Sequence, residues 1–343
     1  MKNVERIWRA LTIKIKSTGG ESKSLLKIPL KNSMPDYNRG PVSMRWTMKS
    51  SVLVRPEDRD LDRGLITSIY ARDAGWKFLN LEVRRFLKGD RFETSTDENE
   101  AVIVMLGGRI KVNSNKASWE EVGGRADVFQ GLPHALYLPR HTDFDLVALD
   151  DATEIAYAWA PAEIDYPASR VSPTDIEPEI RGGHNASRQI NTIVPPGYQC
   201  QRLVSCEAYT PGGNWSSYPP HKHDTIKMDE DGNLIEASLE EIYFYKFNRR
   251  EGWAMQRVYN DDRSLDEAVV TANNDIVLIP EGYHPVCTAY GYDCYYLNFL
   301  AGSHQALTSS DDPAYKWTKE TWDKTDPRLP LVTEDSRVPL KNS

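Results

Sequence analysis

Slid against itself by 141 positions without a gap, the chain sets Glu100-Ala-Val-Ile-Val on Glu241-Ile-Tyr-Phe-Tyr and Leu138-Pro139 on Ile279-Pro280. The same shift carries Ala158-Trp159-Ala160 onto Phe299-Leu300-Ala301. The matched runs are β-branched or aromatic, so the repeat predicts two β-rich halves of one design. At 343 residues the chain is long enough for two cores. Its 17 tyrosines, 21 prolines and 21 glycines favour short strands and tight turns over long helices, and the expected class is all-β.

Strands are expected in the first half at Trp76–Phe86, Ala101–Leu106, Ala135–Leu138 and Ile155–Trp159. In the second half they are expected at Arg202–Tyr209, Ile242–Phe247, Trp253–Tyr259, Asp275–Ile279 and Tyr295–Leu300. Residues 163–187, rich in Pro, Ser and acidic side chains, read as a linker between a first unit at 53–162 and a second at 188–303. A tail at 304–343 carries a short helix from Ala314 to Trp322, expected to pack Trp317 and Trp322 back on the protein.

Charge is uneven. The chain is net −8, which argues against a broad nucleic-acid surface, yet residues 1–50 hold eleven Lys or Arg against three Asp or Glu. Residues 1–52 therefore read as a basic extension, a disordered or loosely docked arm in which Val4, Ile7, Trp8 and Leu11 follow helical spacing. No apolar run has the length of a membrane span or of a signal-peptide core, so no membrane partner is expected and the cytoplasm is the expected compartment. Cys200, Cys206, Cys287 and Cys294 form no Cys-x-x-Cys pair and read as reduced thiols.

Chemistry concentrates in the second half. His221 and His223 are two apart, so on an extended strand they share a face while Lys222 points away. Glu241 opens an aromatic run in which Glu241, Tyr243 and Tyr245 share one face and Glu240 the other. A glutamate in such a run is expected to be paired or metal-bound. Asp229 to Asn233 supplies turn chemistry between the two segments. His284 follows another β-rich run, in Ile279-Pro-Glu-Gly-Tyr-His-Pro. Three imidazoles and a carboxylate, His221, His223, Glu241 and His284, would complete a shell for a divalent transition metal: zinc, manganese, iron or nickel. In the first half Glu93, Ser95 and Asp143 stand where the histidines would be, and that half is expected to be metal-free.

These residues carry a resemblance. His-x-His, a following Glu and Pro-x-Gly-x-His resemble the cupin pattern, with seven residues between Gly213 and His221, seventeen between His223 and Glu241, and one fewer than usual between Gly282 and His284. Asn214-Trp-Ser-Ser-Tyr-Pro-Pro-His-Lys-His-Asp224, Pro280-Glu-Gly-Tyr-His-Pro-Val286, Tyr296-Leu-Asn-Phe-Leu-Ala-Gly302 and Asp326-Pro-Arg-Leu-Pro-Leu-Val332 resemble the 5-deoxy-glucuronate isomerase family of inositol catabolism. The resemblance runs from about Leu53 to Val332 and is densest in the second half. It implies two cupin-type jelly-roll barrels in tandem, the second one carrying the metal.

The implied reaction is a metal-dependent aldose–ketose isomerisation of 5-deoxy-D-glucuronate to 5-dehydro-2-deoxy-D-gluconate. With it come a small uronate-type sugar as partner and self-association into a homo-oligomer as an open question. Tyr243, on the face of Glu241, is then the first candidate for proton transfer, and Arg257 a candidate for the substrate carboxylate. Three other readings stand beside this one: a uronate ketol-isomerase of pectin breakdown, a cupin dioxygenase and a non-enzymatic sugar-binding protein.

Overall fold

The computed structural model describes residues 50–58 and 61–336. The basic arm and its helical spacing lie outside the described residues. Four main sheets are stacked in layers, and the layering follows from which strands can be buried on both faces. The strand Leu234–Phe247 is the clearest case, since Glu241, Tyr243 and Tyr245 point to one side while Ile242 and Phe244 point to the other, and all five are buried.

In the first half the inner sheet runs in the order Ser169–Val171, Ala135–Leu138, Asn99–Gly107, Thr153–Pro161, Asn80–Phe86, Gly64–Ile69. In the second half the inner sheet runs Leu53–Val54, Ile276–Ile279, Leu234–Phe247, Cys294–Gly302, Val204–Thr210, Arg188–Val194, Glu179–Arg181, with the short Asp224–Met228 hairpined onto the central strand. The six strands of the first order correspond to the first six of the second, which adds Glu179–Arg181 at its far edge. Between these inner sheets lies one shared core, in which Val102, Val104 and Leu81 of the first half meet Ile242, Phe244 and Leu297 of the second. Each inner sheet covers its opposite face with an outer four-stranded sheet. Ile103, Met105, Phe144 and Tyr157 fill the first of these sandwiches, and Tyr243, Tyr245, Tyr296 and Val258 the second.

Two features depart from a simple tandem. Leu53–Val54, at the start of the first half, pairs with Ile276–Val277 of the second sheet. Ser169–Val171, which leads into the second half, pairs with Ala135–Tyr137 of the first sheet. Each half thus lends its leading strand to the edge of the other. The stretch read as a linker, 163–187, is in this way occupied by two strands, because Glu179–Arg181 also adds to Arg188–Ile190. The tail helix is a 3-10 turn at Lys316–Thr321. Three residues per turn put Trp317 and Trp322 on different sides. Trp322 packs where a Cβ on Gly183 would lie 2.4 Å from its Cγ, whereas Trp317 is 59% exposed, which corrects the expectation that both indoles dock.

The observed register also refines the repeat. Glu100 pairs with Ala160 as Glu240 pairs with Ala301, and Ala101 pairs with Leu138 as Glu241 pairs with Ile279. Glu100 is therefore the counterpart of Glu240, and Ala101 stands at the position of Glu241. The two counterparts do the same work. The Glu100 carboxylate accepts the backbone N–H groups of Gln201, Arg202 and Leu203 at 2.7, 2.6 and 3.0 Å. The Glu240 carboxylate accepts those of Lys77, Phe78 and Leu79 at 2.7, 2.9 and 2.9 Å. Each half clamps the chain just before a central strand of the other. A third link is the buried Arg125–Glu207 pair at 2.5 Å, with Tyr295 donating its hydroxyl to the same carboxylate at 2.9 Å.

Replacing either clamp by its amide keeps the shape but removes the charge and turns an N–H₂ toward backbone donors. Glu100→Gln and Glu240→Gln are each expected to cost about 2 kcal/mol or more of stability, the fully buried Glu100 costing more. Denaturant unfolding of the two variants checks this, and unchanged midpoints in both would remove the clamps as a source of stability.

Candidate metal centre and its cavity

Glu241 lies at the point where the central strand of the second inner sheet is hemmed in on both sides, by Ile279 and by Leu300. Its carboxylate is buried, and it is held rather than free. Asn298, opposite Tyr243 on the neighbouring strand, donates its side-chain amide to Glu241 Oε1 at 2.7 Å. The other oxygen, Oε2, is 2.8 Å from His223 Nε2 and 3.3 Å from His284 Nε2. His223, Glu241 and His284 thus bring ligand atoms within 4.8 Å of one another, all three buried.

The histidine pair arrives on a short strand, His221–Lys222, held by Ser310–Asp311 of the tail. Lys222 points away from the cavity to Asp224 at 3.2 Å and Asp261 at 2.6 Å. His221 lines the same cavity as His223 and Glu241, and its ring centroid is 4.8 Å from that of His284, edge to face. The segment between His223 and Glu241 is a hairpin, turned at Asp229, whose carboxylate accepts the backbone N–H groups of Asp231 and Asn233.

His284 depends on a glycine. Gly282 has φ +82, and a Cβ there would come within 2.2 Å of the Tyr259 carbonyl oxygen. With that turn in place, His284 Nδ1 donates to the Gly282 carbonyl at 3.0 Å. Nε2 then carries the lone pair, facing Glu241, and this buried atom has no hydrogen-bond partner. An orphaned imidazole nitrogen beside a buried carboxylate fits a cation.

Electrostatics agree with the geometry. Burial pushes His284 down to about 3 against the pull of Glu241, and burial together with the charges of His223 and Arg188 does the same to His221. Burial also works against the charged form of His223, but the Glu241 carboxylate outweighs it and the net shift is upward. Tyr243 lines the cavity with its ring stacked on Tyr296 at 4.5 Å and its hydroxyl 2.9 Å from Ser217 Oγ. Burial, followed by the Glu241 charge, raises its phenol well above the ordinary value, so the hydroxyl keeps its proton.

The cavity has a volume of about 500 Å³ and carries three cations on its wall, Arg181, Arg188 and Lys319. Arg257 is not among them. Its guanidinium meets Asp266 through two bonds of 2.7 Å on the outer sheet, which corrects its assignment to a substrate carboxylate. Asn298 and Arg188 escaped the reading of the sequence. The signal for Asn298 was its alternation with Tyr296 on an otherwise apolar strand, whereas Arg188 carried none.

The signature around Asn214 and the one near the C-terminus are parts of one contact. Asn214 donates to Asp326 at 3.0 Å and accepts from Arg328 at 3.0 Å. Hydrogen bonding by Arg328 holds the Asp326 carboxyl well below the usual range.

The KduI/IolB family profile matches residues 52–318. A 5-deoxy-glucuronate isomerase of Geobacillus kaustophilus is 38% identical over 272 residues, 79% of this chain and 96% of that protein. The crystal structure of an IolB-like protein from Salmonella typhimurium LT2 superposes with a TM-score of 0.73 at 34% identity, covering 78% of this chain and 99% of that one. The fold is shared more widely. Bacillus subtilis oxalate decarboxylase, described with Mn(II) centres, matches with a TM-score of 0.54 at 13% identity over 76% of this chain and 79% of its own. This chain, with its buried His/Glu cluster and its clasped tail, belongs to the KduI/IolB family.

Proposed function

We propose that this protein is an aldose–ketose isomerase that converts 5-deoxy-D-glucuronate to 5-dehydro-2-deoxy-D-gluconate, with a divalent transition metal held by His221, His223, Glu241 and His284. The observation that carries the reading is the buried His223–Glu241–His284 cluster on the wall of a 500 Å³ cavity, in a chain that matches a 5-deoxy-glucuronate isomerase over 96% of that relative's length.

When bound, the metal would supply Lewis-acid stabilisation of the negative charge that builds on the carbonyl and hydroxyl oxygens as a proton moves between adjacent carbons. The remaining work falls to the protein. Asn298 fixes the Glu241 carboxylate, and Gly282 fixes the tautomer of His284, so the donor atoms are oriented beforehand. The protonated Tyr243 hydroxyl, in a chain with Ser217 and Tyr296, would hand a proton to a substrate oxygen and recover it. The stacked rings of Tyr243 and Tyr296 and the tail residues Asp311, Lys319 and Trp322 line the cavity. No nicotinamide is needed, because one carbon of the substrate is oxidised as its neighbour is reduced.

Metal analysis of purified protein is expected to find one equivalent per chain. Glu241→Gln should abolish most of it, while Glu240→Gln, on the opposite face, should retain it in the folded protein. Asn298→Ala removes only the orienting hydrogen bond and should weaken metal affinity about 10- to 100-fold. Equal metal content in the two glutamate variants would place the ligand elsewhere.

An anaerobic assay without nicotinamide should show turnover of 5-deoxy-D-glucuronate, and deuterated water should label the product carbon wherever the carried proton exchanges. Tyr243→Phe should lower kcat with metal content unchanged. A product that forms only with oxygen would replace the isomerase reading by a dioxygenase.

A further inference from the structure

The three cations on the cavity wall differ in what they are bound to. Arg181 donates to Glu179 at 2.7 Å, and Lys319 to Asp311 at 2.5 Å. Arg188, by contrast, has no carboxylate bonded to it among the described residues. Its guanidinium donates to the Tyr218 carbonyl at 3.2 Å and is part-buried. Glu179 acts on it only through space, being already committed to Arg181.

The backbone adds a second anomaly. Arg188 is the direct cross-strand partner of Arg181, so two guanidinium groups start from facing positions on adjacent strands. Like charges directly opposite are destabilising, and a withdrawn cation is normally paired. Here no carboxylate among the described residues is bonded to Arg188 in compensation. Arg188 lines the cavity together with His221, Tyr243 and Tyr296, and its anchor on Tyr218 lies next to Ser217, whose hydroxyl meets those of Tyr243 and Tyr296. A planar fork, anchored through one nitrogen at a carbonyl, keeps other N–H donors for a bidentate anion.

We propose that Arg188 forms the subsite for the substrate carboxylate, selecting a uronate over the corresponding neutral sugar. The assignment rests on the isomerase reading for the direction in which the sugar lies, but not for the binding itself. Arg188 offers two parallel N–H···O contacts to the carboxylate at one end of the sugar. The carbonyl end then reaches the His/Glu cluster and Tyr243. The cation pair Arg181–Arg188 is relieved when the anion enters.

Titration calorimetry of the metal-loaded, full-length protein with D-glucuronate, and with D-glucose as its neutral counterpart, tests the assignment. The wild type should bind glucuronate more tightly than glucose. Arg188→Gln should lose about 10- to 100-fold in glucuronate affinity, with glucose affinity and metal content unchanged. Arg188→Lys keeps the charge but loses the fork, and should fall between the two while guarding against a folding defect. Arg257→Gln, on the outer sheet, should leave both affinities as they are.

Three results would overturn the proposal: unchanged glucuronate affinity in Arg188→Gln, an equal loss for both sugars, or no preference for glucuronate in the wild type. Failure of the isomerase reading is visible separately. Absence of turnover with this binding pattern intact removes the reaction and leaves the subsite standing.

Discussion

The structure hangs on two carboxylates that each reach out of their own half to hold three consecutive backbone amides of the other. Glu100 and Glu240 occupy equivalent positions in equivalent strands, and each fastens the entry to a strand at the centre of the opposing sheet. Carboxylate to backbone N–H bonds are charge-assisted, and at the fully buried Glu100 they have little water to compete with. They fix how the two inner sheets stack, and with that the depth at which Glu241 lies. The shared apolar core supplies the driving force for packing, while the carboxylates supply the alignment.

Strand alternation divides the labour at this point. Glu240 looks into the junction of the halves and Glu241 into the cavity, although they are neighbours in the chain. The cavity side is then completed by groups that hold others in place: Asn298 on the Glu241 carboxylate, Gly282 on the His284 imidazole, and the Asn214–Asp326–Arg328 clasp on the tail that forms part of the wall. In the first half the same strand position holds Ala101, and aromatic and aliphatic side chains occupy the interior. One design thus carries an apolar interior in one half and a buried His/Glu cluster in the other.

What could be read from the sequence depended on burial. Strands buried on both faces, such as Ala135–Leu138 and Ile276–Ile279, announce themselves by unbroken apolar runs, and their bounds were near those expected. Among the strands of the outer sheets Trp253–Tyr259 was expected with its observed bounds, but others were not. Arg91–Ser95 and Asp143–Ala148 alternate charged and apolar residues over a few positions, which reads equally well as a loop. The His-x-His pair, Glu241 and His284 were legible because two-residue spacing and glycine turns act locally. Arg257 was misplaced and Arg188 overlooked for one reason: which arginine is left without an anion depends on partners far away in the chain, and spacing carries no record of them. The repeat itself was detectable, but with its glutamate one residue out of register, because the gap between the two halves differs by one position across the motif.

The exchange of leading strands bears on how the chain can come into being. Leu53–Val54 cannot find its place until Ile276–Val277 exists, more than two hundred residues later, and the first inner sheet keeps an open edge until Ser169–Val171 has emerged. During synthesis the first half therefore waits, nearly complete, with an unpaired strand edge that invites pairing with another chain. Such non-local closure makes the final step slow. It also makes the finished protein hard to divide: a cut just before Ser169 would leave each fragment holding the other's border strand, and a cut after Val171 would still leave Leu53–Val54 on the wrong piece, so the two sandwiches persist as one folding unit despite their repeated design.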